Sequence, residues 1–92
     1  MNKNQQFDSV WDALEDDPVR AENLKLRSVL LMEISEKIQS MGLTQSKAAE
    51  ILRINQPRVC ALLQGKIDQF RLDSLVDMAH RLGLNVSILV AA

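Results

Sequence analysis

Ninety-two residues suffice for one small hydrophobic core and not for two. With 47% hydrophobic residues, three Gly, two Pro and no Tyr, the chain favours a helical fold over a sandwich or barrel. The net charge of −1 argues against a uniformly basic surface, yet residues 1–41 hold five Lys/Arg against eight Asp/Glu (−3) and residues 42–92 hold six against four (+2).

Residues 1–17 form an acidic N-terminal segment. Phe7, Val10, Trp11 and Leu14 fall at i, i+3, i+4 and i+7, one face of a short helix, with Asp8, Asp12, Glu15, Asp16 and Asp17 on the other side. A helix this short is marginal by itself. Three readings stay open at this point. The segment is a solvated tail, or it docks on the chain's own first helix, or it binds a partner. In the last case Phe7, Trp11 and Leu14 are the anchors, and Asp12 is among the carboxylates facing a basic surface.

Residues 18–92 read as one domain. Asp17-Pro18 is a helix start, a carboxylate cap followed by proline at the first helical position, and the helix is expected to run to about Met41. Leu24, Leu31, Ile34, Ile38 and Met41 make its apolar stripe, which Leu26, Val29 and Leu30 widen beyond what one small core requires. Part of that arc is therefore expected to face a second subunit or the N-terminal segment.

Gly42 ends this helix and Thr44 caps the next, over about 45–52. Arg53-Ile54-Asn55 makes a turn, Asn55 caps a third helix that tolerates Pro57 in its first turn, and Gly65 ends it. Leu72, Leu75, Met78, Ala79 and Leu82 mark a fourth helix, stopped at Gly83. Leu84, Val86, Ile88 and Val90 then alternate with Asn85 and Ser87, which predicts a short C-terminal β-strand. No other segment offers it a partner strand. Its expected partner is its own copy in a two-fold homodimer, with Val86, Ile88 and Val90 on the dimer strand.

The two short central helices carry the chemistry. Between residues 44 and 66 the charges are Lys47, Arg53, Arg58 and Lys66 against Glu50 alone, a balance of +3. Counted from Gln45, residues Ala48, Leu52, Ile54, Val59 and Leu62 fall at inward positions, and the small Ala49 sits where two helix axes must pack closely. Gln56, Arg58 and Ala61 then project outward from the third helix, with Cys60 beside them. Glutamine can pair with an adenine edge, arginine with guanine, and a methyl group with thymine. Thr44, Gln45 and Lys66 are placed to hold phosphates, Gln45 together with the exposed amides at the start of its helix. The plainer alternative is a set of solvent-facing polar residues on a helical bundle.

Residues from about 20 to 91 resemble the Cro/repressor-type (XRE) helix-turn-helix family, and more closely its short HigA-type antitoxin branch. The matching residues are Gly42-Leu43-Thr44-Gln45, Ala48-Ala49, Gln56-Pro57-Arg58-Val59, Leu62-Leu63, Gly65-Lys66, Phe70, Leu72 and Leu82-Gly83-Leu84-Asn85-Val86. The resemblance implies a mainly α, four- or five-helix lambda-repressor-like domain with one short C-terminal β-strand. It also implies dimeric binding to inverted-repeat operators in double-stranded DNA, transcriptional repression and, in the antitoxin branch, neutralisation of a RelE/HigB-like mRNA-cleaving toxin with control of its own operon. Phosphate contacts carry over to Thr44, Gln45 and Lys66, and base contacts to Gln56, Pro57 and Arg58.

Three positions depart from the family pattern. Arg53 stands where the family usually has Gly, Asn55 replaces a Ser cap, and Ala61 stands where a long polar residue is common. A stand-alone regulator without a toxin and a protein-interaction module that has lost DNA reading are the alternatives.

Other features are silent. The single Cys60 allows no internal disulfide and supports no cysteine-based metal site, and it fits a reducing compartment. The N-terminus is polar, with no apolar signal core, and no apolar run approaches the ~18 residues of a membrane span, so a cytoplasmic location is expected. His80 has no Cys or second His near it, and no nucleophile–base pair, glycine-rich phosphate loop or metal spacing occurs. Neither an enzyme nor a cofactor is expected.

Overall fold

The computed structural model describes residues 17–92. Phe7, Trp11, Asp12 and Leu14, the candidate partner-binding residues in one of the three readings above, lie outside the described residues. Four α-helices follow in order: α1 (Pro18–Ser40), α2 (Gln45–Leu52), α3 (Gln56–Leu63) and α4 (Leu72–Arg81), with a 3₁₀ turn (Ile67–Gln69) between α3 and α4.

Three of the helix starts are built as their sequences dictate. The Asp17 carboxylate accepts the Val19 N–H at 3.0 Å, with Pro18 in the first turn. Thr44 Oγ1 accepts from Lys47 N–H at 3.1 Å, and Asn55 Oδ1 accepts from Arg58 N–H at 2.9 Å. Each side chain satisfies an amide that has no carbonyl behind it, worth about 1 kcal/mol relative to alanine.

The helix ends share one closing device. At the end of α1, Leu43 N–H donates to the Ile38 carbonyl and Gly42 N–H to that of Gln39, with Gly42 at φ 63°. Met41 is the C-cap and stands exposed, so it leaves the apolar stripe that Leu24, Leu31, Ile34 and Ile38 bury. At the end of α2 the same reversal occurs, Ile54 N–H donating to the Ala49 carbonyl, but the left-handed residue is Arg53 at φ 59°. A Cβ in that region costs roughly 1 kcal/mol.

The core lies where α1 crosses α4, with the α2–α3 pair and the 3₁₀ turn closing its sides. Ile34, Leu52, Val59, Leu62, Phe70 and Leu75 are its most deeply buried large side chains. Ser28 is the only buried polar residue among those described, and its hydroxyl donates to the Leu24 carbonyl at 2.9 Å. The 3₁₀ turn was not foreseen. It carries Ile67 and Phe70 inward three residues apart, and so plugs the end of the core below α3.

The expected C-terminal strand is absent: residues 84–92 have no regular structure, and Ile88, Leu89 and Val90 are almost fully exposed. A strand exists only by pairing its backbone with another, and nothing among the described residues offers an edge. Among the described residues no helix is long and apolar enough to cross a membrane.

Candidate nucleic-acid interface

α2 and α3 pack on each other across the Arg53–Asn55 turn, and their inward residues are those the spacing required. Ala48, Leu52, Val59 and Leu62 are buried, Ala49 sits buried at the crossing, and Ile54 is half-buried against the core. Burial of this face aims the opposite face of α3 away from the body of the domain.

That outer face differs from the one expected. Ala61 is only 9% exposed and belongs to the core cluster, so it is corrected from a base-reading to a packing residue. Its neighbour Leu62 is fully buried, and its methyl group is too short to reach past the core. The exposed stripe is instead Gln56, Pro57, Cys60 and Gln64, with Cys60 half-exposed. Gln56, Cys60 and Gln64 follow one another at four-residue spacing and so share one face. Gln64 Nε2 donates to Cys60 Sγ at 3.4 Å, which ties the lower part of that face together. Motif position does not include Gln64, although two steps of four residues from Gln56 reach it.

Arg58 is placed differently from a free reading arginine. Its guanidinium carbon lies 4.6 Å from the centroid of the buried Phe70 ring, and the residue is half-buried. Such stacking over an aromatic face is worth about 0.5–1 kcal/mol and restricts the side chain. Arg58 thus flanks the exposed stripe from the side of α4. There it lines a shallow notch with Arg53, Ser74, Asp77 and Arg81, a second basic edge that the sequence motif did not include.

The phosphate candidates lie on the segments before and after α3 in the chain. Thr44 and Gln45 are exposed at the first turn of α2, where the leading amides point outward. Lys66 is exposed just past Gly65, its own N–H held by the Ala61 carbonyl at 3.1 Å, so its side chain leaves from a fixed backbone. Lys47 lies 3.4 Å from Glu50, an exposed pair that tempers the positive charge of α2. Val86, Ile88 and Val90 lie on the tail, remote in sequence from this face, and all three are exposed.

Two short capped helices, a three-residue turn and an exposed polar stripe on the second helix define a helix-turn-helix protein, a class of DNA-binding domain in which enzymatic activity is not the rule. A family model described as a helix-turn-helix domain matches residues 13–91, and the chain belongs to that family. No curated protein matches the chain.

Proposed function

We propose that this chain is a sequence-specific transcriptional repressor of the Cro/repressor (XRE) type that reads an inverted-repeat operator as a homodimer. The exposed Gln56–Cys60–Gln64 stripe, flanked in sequence by the exposed phosphate candidates Thr44, Gln45 and Lys66, supports this reading. In it, Gln56 and Gln64 hydrogen-bond base edges, and Pro57 and the Cys60 thiol offer apolar contact to thymine methyls. Arg58, stacked on Phe70, reaches a guanine or the adjoining backbone. The dimer forms when the tail around Val86, Ile88 and Val90 pairs with its copy, and it sets the two α3 helices about one DNA turn, ~34 Å, apart.

Within that class the resemblance to the HigA branch favours an autoregulatory antitoxin. Its acidic N-terminal segment, with Phe7, Trp11, Asp12 and Leu14, would engage a basic mRNA-cleaving toxin in the cytoplasm. The test is fluorescence anisotropy with the DNA upstream of the chain's own reading frame, against a scrambled duplex and over a salt series. The reading expects preference for the native duplex, and Lys66→Ala should weaken both duplexes alike and reduce the salt slope by about one. Equal affinity for both duplexes would refute sequence-specific repression. Co-purification with a toxin encoded beside the chain, lost on deletion of residues 1–16, tests the antitoxin role separately.

A further inference from the structure

α1 carries more apolar surface than the core uses. Val19 is 78% exposed and Leu26 50% exposed, and their seven-residue spacing puts them on one face. That face leads into a groove of about 380 Å³ lined by Leu26, Val29 and Leu30 of α1, Val76 of α4, and Val86 and Ile88 of the tail. The groove's remaining polar lining is confined to Glu33 and Ser87.

We propose that residues 7–14 of this same chain occupy the groove, folding back along α1 as a short helix that seats Trp11 and Phe7 against Leu26, Val29 and Val76. The reach fits. From Asp17 back to Phe7 a helix spans ~15 Å, and along α1 the distance from Pro18 to Leu26 and Val29 is ~12–17 Å. The periodicity fits as well, because Phe7, Val10, Trp11 and Leu14 form one apolar face for one apolar groove.

Charge points to the same occupant. Residues 1–16 hold Lys3 against Asp8, Asp12, Glu15 and Asp16, whereas the first turns of α1 hold Arg20, Lys25 and Arg27 against Glu22. Arg27, one turn before the groove residue Leu30, has a buried Nε with no partner among the described residues. An incoming carboxylate satisfies that donor, and a buried donor left alone costs about 1–3 kcal/mol. A second copy is the weaker candidate for this groove. A tethered segment acts at millimolar effective concentration, whereas a stable dimer needs roughly 1,200–2,000 Å² of buried surface.

Docking covers Phe7 and Trp11, so any partner that uses them competes with the groove. The inference does not depend on DNA reading, and operator binding measured on the same samples keeps the two apart.

Trp11 is the only tryptophan, so its fluorescence in the full chain reports the segment directly. The expected result is blue-shifted emission, shielded from acrylamide and unchanged on dilution. Val29→Asp in the groove should release it to solvent-like emission while far-UV circular dichroism keeps the helical signal. Phe7→Asp, which leaves every described core residue unaltered, should release Trp11 equally, so the outcome does not depend on how the groove variant folds. Solvent-like emission in the unaltered chain would overturn the proposal, as would burial indifferent to both substitutions. Shielding lost on dilution would also overturn it, by assigning the groove to another copy.

Discussion

Residues 44–66 and residues 84–92 both looked structured from their patterns, and only the first became a regular element by itself. The helix pair holds its own constraints. Thr44 and Asn55 cap it, Ala49 lets the axes approach, and Val59 and Leu62 bury one face so that Gln56, Cys60 and Gln64 must take the other. The tail has alternation but no partner, and its Ile88, Leu89 and Val90 stand in solvent. A helix closes its hydrogen bonds within itself, whereas a strand depends on another strand, which here must come from outside the described chain.

The largest contrast between the two regions should appear in stability. Phe70→Ala removes the plug beneath α3 and the ring under Arg58, and should cost about 3–5 kcal/mol in urea unfolding. Asn55→Ala leaves the α3 amides unsatisfied and should cost about 1 kcal/mol, read as a lower thermal midpoint. Arg53→Gly should act in the opposite direction. Removing the Cβ at φ 59° relieves strain, and a gain of up to about 1 kcal/mol is expected, reduced by the extra freedom of glycine in the unfolded chain. Ile88→Ser should change the unfolding of the isolated chain by no more than about 0.5 kcal/mol. Its effect should instead be on self-association by sedimentation. A large stability loss from Ile88→Ser would break the contrast between the regions.

The same contrast explains what could be read from residues alone. The bounds of α2, the three caps and the turn at Arg53–Asn55 follow from neighbours within a few positions, so the pattern of residue types contains them, whereas the left-handed backbone of Arg53 is not signalled by its own residue type. The 3₁₀ turn does not follow in this way. Ile67 and Phe70 lie too close in sequence to show a period, and only the space beneath α3 explains their burial. Motif position points Ala61 outward, whereas the packing of Leu62 beside it draws Ala61 into the core. Gln64 lies past the last residue of α3, at its C-cap, yet it continues the Gln56–Cys60 spacing. Arg58 stands out in the sequence as the one cation on the second helix of the pair, but its stacking on Phe70 depends on a residue twelve positions away.

The central claim is that α3 meets DNA through the Gln56–Cys60–Gln64 stripe, with Ala61 turned inward. The most direct measurement is the ratio of affinities for operator and scrambled duplex, at one fixed salt concentration, for Gln56→Ala and Gln64→Ala. Each should lower that ratio by about 1–3 kcal/mol of discrimination, with scrambled-duplex affinity and thermal midpoint unchanged. An unchanged ratio in both variants would contradict the account and move base reading to another face of the domain.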